Sequence, residues 1–260
     1  MLIHILRAVT LIAVVFFIGG CSQFVGDNRH NVPVPKALLD RMTEIGSSPT
    51  EAMAIRVFKE SSELEVWKRT NTGRYALLKS YSICKWSGAL GPKIKEGDYQ
   101  SPEGFYEVTP GLMNPKSAYW LSFNVGFPNK FDQAWGRTGT NLMVHGDCKS
   151  VGCFAITDAG IKEIYAMVRE SFRGGNRSVH LQLLPFRMTE ANLSAKAFSP
   201  HAPFWRNLKE GTDIFDATGQ PPAVDVCERR YVFNRNTPGA PPLDPNGVCP
   251  VQSYSTMAAI

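Results

Sequence analysis

The sequence predicts a mainly β fold with one or two helices, of the β-sandwich kind. Short segments in which apolar and polar residues alternate follow one another closely, as at residues 55–59 and 64–68, and alternation with period two is the pattern of a half-buried strand. Turn-forming pairs such as Gly91-Pro92 separate these segments. One stretch, residues 158–172, has helical spacing instead. Short, closely spaced strands interrupted by one helix are typical of a sandwich or barrel.

The remaining elements follow the same reasoning in chain order. The helix has a cap at Thr157 or Asp158, and Gly174-Gly175 ends it. Its apolar face is expected from the recurrence of Ile161, Ile164, Tyr165, Val168 and Phe172. Further strands are predicted at residues 74–83, 104–108, 119–123, 178–186 and 223–232, and a second, shorter helix at 204–215.

Length and composition indicate a globular protein with a sizeable core. The chain has 260 residues, of which 43% are apolar and 20% charged, which suits one domain with an extension or two small domains. The formal net charge is +5, and no Lys/Arg-rich run concentrates it. We therefore expect no nucleic-acid partner. A mild positive charge also suits an anionic wall or lipid surface but does not identify one.

The N-terminus has the pattern of a bacterial lipoprotein signal. Residues 1–7 include one arginine and no acid, and residues 8–18 are apolar, which is the length of a signal-peptide core and too short to span a membrane. The run ends in IGGC at Cys21, which resembles a lipobox. We expect lipidation of Cys21 and a periplasmic or other extracytoplasmic protein anchored to a membrane. The second residue of the mature protein would be Ser22 and not Asp, so sorting to the outer membrane stays an alternative. The alternatives are an uncleaved anchor and an ordinary signal peptide.

Export would place the other cysteines in an oxidising compartment. Their number is odd, so at least one is unpaired unless it bonds to another chain. Cys227 and Cys249, in the Pro-rich C-terminal region, are the simplest pair to expect, although the sequence does not assign the connectivity. The five cysteines are Cys84, Cys148, Cys153, Cys227 and Cys249.

Residues 141–157 contain the candidate chemistry. They read NLMVHGDCKSVGCFAIT, an apolar strand that ends at His145, a polar loop, and Cys153 before a second apolar run. A thiol and an imidazole on the two arms of one loop can come within hydrogen-bond reach, and a thiol that titrates near pH ~8.5 needs such a base to ionise. Gly152 lets the backbone turn close to the thiol, so its N–H and that of Cys153 are candidate oxyanion donors. Ser150 is a candidate to orient the imidazole or to cap the loop.

Three other interpretations fit the same residues. His145 can be a loop histidine with ordinary hydrogen bonds. Cys148 and Cys153 can form a local disulfide, which export permits. Finally, His145, Asp147, Cys148 and Cys153 can bind a metal ion, although the spacing H-x-x-C-x-x-x-x-C lacks the close C-x-x-C pairs of strong zinc signatures.

The motif is similar to that of a known enzyme family. The string H-G-x-x-x-S-x-G-C, from His145 to Cys153, resembles the catalytic motif of the L,D-transpeptidase (YkuD) family and in particular of its YafK-like branch. Val151 departs from most members, which have a histidine there. Other segments resemble the same branch, so the likeness extends over residues 54–230. These segments are 87–93, 97–106, 121–129, 184–189 and 204–209.

The resemblance implies a YkuD-type β-sandwich with Cys153 as nucleophile, His145 as general base and acid, and Ser150 and Gly152 as loop residues of the motif. It implies acyl transfer on peptidoglycan stem peptides, through a thioester on Cys153, to an amine of another wall peptide or of a wall-attached lipoprotein, in cell-wall biogenesis. With water as the acceptor, the same pair would act as an amidase or carboxypeptidase. A non-catalytic wall-binding lipoprotein is a further alternative. No metal or organic cofactor is implied.

Two residues outside the motif are candidates for substrate binding. Arg137, just upstream, is placed to meet a substrate carboxylate, with a solvated loop charge as the alternative. Tyr106 is one of several aromatic residues expected to line a substrate groove. The expected domains are a signal peptide at 1–20, a flexible tether at 21–50, the catalytic domain at 51–188, and a C-terminal extension at 189–260 that packs on the domain or trails it.

Overall fold

The computed structural model describes residues 27–235 and 241–250, so the predicted signal peptide and the predicted lipidation site at Cys21 lie outside the described residues. The described part contains five α-helices, and none of them is long and apolar enough to cross a membrane. The helices are α1 (Lys36–Glu44), α2 (Lys130–Ala134), α3 (Asp158–Arg173), α4 (Glu190–Ala195) and α5 (Ala202–Thr218).

A five-stranded mixed sheet forms the centre of the fold. Its strands are β1 (Met53–Phe58), β2 (Glu63–Arg69), β3 (Tyr75–Ser82), β4 (Gly104–Val108) and β9 (Val179–Leu184), in the order β3-β2-β1-β9-β4. β1 and β9 are parallel and the other pairs antiparallel. Because side chains alternate along a strand, Ile55 and Val57 of β1 enter one core while Phe58 enters another on the opposite face.

A second sheet of four short strands contains the candidate motif. β5 (Met113–Asn114), β6 (Ser122–Asn124), β7 (Met143–His145) and β8 (Phe154–Ala155) lie in that order. β7 and β8 are parallel, with Val144 opposite Phe154 and His145 opposite Ala155. The polar loop therefore begins and ends on neighbouring strands.

The main core is shared by both sheets and α3. The Thr157 side chain accepts the N–H of Gly160 (3.1 Å) and so caps the start of α3, as predicted. The apolar face of α3 packs on residues from both sheets, which gives the layered arrangement expected of a sandwich. Members of this core include Ile55, Val57, Val66 and Leu181 from the first sheet, Phe123, Val144 and Phe154 from the second, and Ile161, Ile164 and Val168 from α3.

The C-terminal region covers the other face of the five-stranded sheet. Its hairpin of β10 (Val224–Cys227) and β11 (Arg230–Phe233) is antiparallel. The turn residues Glu228 and Arg229 have φ of 49° and 55°, so the single strand predicted at 223–232 is in fact two. A second core joins this region to the sheet through Phe58, Phe105, Leu184, Trp205, Leu208, Val226 and Tyr231.

The segment before β1 packs against the domain over much of its length. Leu38 and Met42, one helical turn apart on α1, are buried in the main core together with Val34. Arg169 of α3 donates to the carbonyl oxygen of Val32 at 3.0 Å. Residues 32–42 of the predicted tether are therefore attached to the domain rather than extended from it.

The fold-class prediction is confirmed, since the chain is mainly β with two long helices, α3 and α5, and three shorter ones in the described part. The strand predicted at 119–123 is displaced to Ser122–Asn124. The reason is local: Trp120 has a φ of 68°, and the Tyr119 carbonyl accepts the N–H of Gly146 at 3.1 Å. Tyr119 and Trp120 therefore lie in a turn beside the motif.

Candidate active site

The loop between β7 and β8 holds the two predicted catalytic residues. His145 is the last residue of β7 and Cys153 immediately precedes β8. The Cys153 sulfur lies against the backbone of β7: the Met143 N–H donates to it at 3.4 Å, and the thiol donates to the Asn141 carbonyl oxygen at 3.5 Å. The thiol and the imidazole thus lie on neighbouring strands.

The His145 ring is oriented by the backbone. The carbonyl oxygen of Gly146 lies 2.6 Å from Nδ1, and because a carbonyl only accepts, Nδ1 holds the proton and Nε2 is left as the basic nitrogen. The Tyr119 ring packs against the imidazole at a tilt of 34°, with centroids 4.7 Å apart, and His145 is 2% exposed. Within the described residues no hydrogen bond joins this imidazole to the Cys153 thiol.

Burial favours the neutral form of both groups. It lowers the pKa of His145 below its ordinary value of 6.5, and the neighbouring carbonyl and the Asp147 carboxylate oppose this effect. Burial also raises the pKa of the Cys153 thiol, while the Met143 N–H and the Lys93 ammonium act in the opposite direction. Near neutral pH the site therefore contains a thiol and a neutral imidazole, from which a base can take a proton from a nucleophile.

Three serine hydroxyls hold the backbone around the thiol. Ser150 Oγ and Ser101 Oγ donate to the Cys153 carbonyl oxygen at 2.6 and 3.2 Å, so Ser150 caps the loop and does not orient the imidazole. Gly152, whose φ is 106°, donates its N–H to Ser87 Oγ. The predicted oxyanion donor at Gly152 is thus already engaged. The Cys153 N–H, by contrast, has no acceptor among the described residues.

The outer half of the loop is attached at two points. Cys148 forms a disulfide with Cys84, and the Asp147 N–H donates to Oδ1 of Asp158, the first residue of α3, at 2.8 Å. Asp147 and Cys148 have φ of 67° and 46°, a left-handed conformation that non-glycine residues adopt only when their surroundings impose it. The disulfide and the hydrogen bond supply that constraint.

The partner of Cys148 decides between two alternatives for the loop. It is Cys84, 64 residues away, and Cys153 is a free thiol, so the local Cys148–Cys153 disulfide does not form. The proposed metal site of His145, Asp147, Cys148 and Cys153 also loses a ligand, because the Cys148 sulfur is in the disulfide. Across residues 27–235 and 241–250, no three His, Cys, Asp or Glu side chains are grouped as a metal ion would need. The expected Cys227–Cys249 pair is confirmed.

A buried ion pair anchors the segment that leads into β4. Lys59 Nζ donates to Oε1 of Glu103 at 2.9 Å and to the carbonyl oxygens of Gly91 and Ser101 at 3.1 and 3.0 Å. Glu103 Oε2 accepts from the indole N–H of Trp205 on α5 at 2.8 Å. Both charged side chains are fully buried, and burial lowers the pKa of Lys59 against the opposing effect of Glu103. The C-terminal region is thereby connected to Ser101.

Sequence reasoning assigned no role to this segment, although it belongs to the stretches that resemble the family. Lys93 is an example: it is 3% exposed, it forms an ion pair with Asp98, and its charge opposes the rise in the pKa of Cys153 that burial causes. Ser87 and Ser101 are others. Residues 87–93 and 97–106 resemble the family, and this resemblance could have drawn attention to them. No motif spacing, however, relates these residues to the thiol.

Arg137 and Tyr106 both bind a buried carboxylate, that of Asp132. Arg137 Nη1 donates to Oδ1 at 2.8 Å and the Tyr106 hydroxyl donates to Oδ2 at 2.9 Å. The guanidinium also lies 4.9 Å from the ring centroid of Phe131. The charge of Arg137 is thus matched inside the protein by Asp132, and the substrate contacts expected for these two residues stay predictions.

Comparison with known proteins identifies the relatives of this chain. The model of the YkuD family, the L,D-transpeptidase catalytic domain, matches residues 49–181, a range that contains both His145 and Cys153. The chain is 41% identical over 233 residues, covering 90% of both sequences, to the proteins named "Putative L,D-transpeptidase YafK" of Escherichia coli (strain K12) and Escherichia coli O157:H7. Among solved structures, the helical cell shape determining protein Pgp2 of Campylobacter jejuni has a TM-score of 0.41 and 19% identity, over 69% of this chain and 65% of that chain. The chain therefore belongs to the L,D-transpeptidase (YkuD) catalytic-domain family, in its YafK-like branch.

Proposed function

We propose that this chain is a cysteine acyltransferase of the L,D-transpeptidase type that acts on peptidoglycan stem peptides. One observation carries the proposal: the free Cys153 thiol lies beside β7, one strand from an imidazole whose Nε2 is unprotonated. Family membership supports the reaction class. Four other cysteines form disulfides while Cys153 stays a free thiol. A role as nucleophile would account for a free thiol in the oxidising compartment that the N-terminus predicts.

In the proposed acylation step, Nε2 of His145 takes the proton of the Cys153 thiol, and the sulfur attacks a peptide carbonyl carbon at the L-centre of diaminopimelate. The C–N bond breaks, the leaving amine takes the proton from the imidazolium, and a thioester remains on Cys153. The Cys153 N–H is the backbone donor available to the developing oxyanion.

In the second step an amine attacks the thioester. His145 receives the proton of that amine and returns it to the sulfur as the C–S bond breaks, so a new amide and a free thiol result. The acceptor amine belongs to another stem peptide or to a wall-attached lipoprotein. Water in the same position would yield a carboxylate, and the two outcomes differ in whether the thioester is shielded until an amine docks.

The test is mass spectrometry of residues 22–260 incubated with purified muropeptides, with Cys153→Ala alongside. We expect cross-linked products that require Cys153. Smaller, uncross-linked products that require Cys153 would make the protein a hydrolase. No change with either protein would favour a wall-binding module without catalytic activity.

The role of His145 has a matched control in the same chain. His180 is a half-buried histidine on β9, 3.8 Å from Glu107. We expect His145→Gln to abolish turnover and His180→Gln to retain it. Equal activity in the two variants would remove His145 from the mechanism.

We also propose, from the sequence alone, that Cys21 is lipidated and that the mature protein is anchored to a membrane outside the cytoplasm. Metabolic labelling with a fatty-acid analogue should label the wild-type protein and leave Cys21→Ser unlabelled. Labelling of both proteins would contradict the proposal.

A further inference from the structure

A groove of 820 Å³ lies where the C-terminal region meets the segment that contains Lys93. Its walls come from Ile94, from Trp135 just after α2, from Phe204 and Arg206 on α5, and from Arg229 and Arg230 in the β10–β11 hairpin. We call these six residues the arginine–aromatic groove. Four of them lie beyond residue 181, where the match to the family model ends, and two lie within it.

The apolar part of the groove is open to solvent, and its aromatic rings have partners inside the protein. Trp135 and Ile94 are each 53% exposed, a large fraction for such side chains. The Trp135 ring is nevertheless fixed, because its indole N–H donates to the Arg229 carbonyl oxygen at 2.9 Å. Phe204 stacks on Phe131 with ring centroids 5.3 Å apart. The groove therefore presents a preformed aromatic surface.

The charged side chains that line the groove are positive in sum: they are four arginines, including Arg137 with its Asp132 partner, and one carboxylate, that of Glu210. Arg230 forms an ion pair with Glu210 at 2.9 Å. Arg229 donates to the Asn246 side-chain oxygen at 3.1 Å, and neither Arg229 nor Arg206 has a carboxylate partner in the described part of the chain. Two guanidiniums without a carboxylate partner, one of them 5.8 Å from the centroid of the Trp135 ring, are suited to a ligand that has carboxylates and apolar groups.

The groove and the thiol lie on either side of one segment. Ile94 lines the groove. Three residues before it, the Gly91 carbonyl shares the Lys59 ammonium with the Ser101 carbonyl, at 3.1 and 3.0 Å. The Ser101 hydroxyl in turn donates to the Cys153 carbonyl oxygen at 3.2 Å. A ligand several residues long, bound at the thiol, can therefore reach the groove or be joined to a chain that does. This arrangement points to a part of the substrate rather than to an unrelated molecule.

We propose that the arginine–aromatic groove binds the carboxylate-bearing peptide stem of peptidoglycan at a distance from the reacting carbonyl, which holds the substrate while Cys153 reacts. This rests on the proposed function and names the part of the substrate that the C-terminal region recognises. Stem peptides have several free carboxylates and short aliphatic side chains, which match the two guanidiniums and the exposed rings.

The test measures affinity, not turnover. The Cys153→Ala protein is titrated calorimetrically with a purified disaccharide-tetrapeptide, with and without Arg206→Ala/Arg229→Ala. We call Arg206→Ala/Arg229→Ala the groove pair and expect it to raise Kd about fivefold to tenfold, which is the effect of losing two partly exposed charge contacts. The Arg229 carbonyl that fixes Trp135 belongs to the backbone and is retained.

The matched control is Arg69→Ala/Arg177→Ala, which removes the same charge from two exposed positions outside the groove. We expect it to change Kd less than about twofold, and the difference between the pairs to shrink when NaCl rises from about 50 mM to about 500 mM, since salt screens exposed charges. The same disaccharide without its peptide should not distinguish the two pairs.

Equal Kd values for the groove pair and the control pair would overturn the proposal. The proposal would also be overturned if Arg206→Ala/Arg229→Ala weakened binding to anionic phospholipid vesicles and left muropeptide binding unchanged. Either result would leave the Cys153-dependent chemistry standing, because the chemistry is tested by product formation. A Cys153→Ala protein that binds no muropeptide would refute this inference, and wild-type protein that also forms no product would refute the proposed function with it.

Discussion

The disulfide between Cys84 and Cys148 is expected to support both stability and catalysis, and comparison with the second disulfide separates the two effects. Cys84→Ala/Cys148→Ala breaks a link across 64 residues. Loop-closure entropy for a span of that length gives a loss of about 4 kcal/mol in the free energy of unfolding. Both cysteines are exposed, so the substitution adds no cavity in the core.

The second disulfide is the control. Cys227→Ala/Cys249→Ala breaks a span of 22 residues, for which the same relation gives about 3 kcal/mol. Cys227 is fully buried, so the lost sulfur adds about 1 kcal/mol from packing. We therefore expect similar shifts in the two guanidinium unfolding curves.

Activity should differ between the two variants. Cys148 lies in the loop that joins the base to the nucleophile, and without its disulfide the left-handed conformation of that loop is held mainly by the Asp147–Asp158 hydrogen bond. A displacement of about 1 Å at a reacting group can cost about a hundredfold in rate. We expect kcat to fall by about that factor in Cys84→Ala/Cys148→Ala and to stay near wild type in the control.

The assay is turnover of muropeptides at a temperature where each variant is fully folded. A Cys84→Ala/Cys148→Ala protein with wild-type kcat and lowered stability would refute the idea that the disulfide orders the catalytic loop. Unchanged unfolding midpoints in both variants would refute the loop-closure estimate.

Three further predictions address the site and its supports. Because burial lowers the pKa of His145 below 6.5, the base stays neutral into mildly acidic solution, so the acid limb of kcat/KM should lie below pH 6.5; a limb centred above that value would contradict the expectation. Gly146→Ala should reduce kcat about a hundredfold, because a Cβ there would lie 2.5 Å from Oδ1 of Asp158, and wild-type kcat would show that the loop yields easily. Trp205→Phe should lower the free energy of unfolding by about 1–3 kcal/mol, measured with guanidinium, because it removes a donor from the buried Glu103 carboxylate; an unchanged value would mean that the carboxylate finds another donor.

Local patterns in the sequence were sufficient for much of the fold. The strands β1 and β2 and the helix α3 have clear periodicity, and the end of β7 at His145 follows from the apolar run before it. Aromatic residues favour strands, so the sequence predicts Tyr119 and Trp120 in a strand. They lie in a turn instead, because the Tyr119 carbonyl accepts a hydrogen bond from the N–H of Gly146, which is distant in the sequence.

The parts of the site that sequence reasoning missed depend on long-range contacts. Cys84 is 64 residues from its partner, and no spacing rule relates the two positions. Ser87 and Ser101 reach the thiol loop only after the segment before β4 has folded over it. The position of Arg137 in the sequence suggests a substrate contact, whereas its ion pair with Asp132 depends on the fold.

The contact between Trp205 and Glu103 limits where this protein can be divided. The family match ends at residue 181, but a fragment cut there would lose the indole donor to Glu103 and uncover Phe58 and Phe105 on the sheet. Such a fragment would expose a contiguous apolar surface, so we expect it to aggregate before any activity could be measured. Transplanting the catalytic region into another scaffold, or screening libraries of it, would therefore require the C-terminal residues to be included.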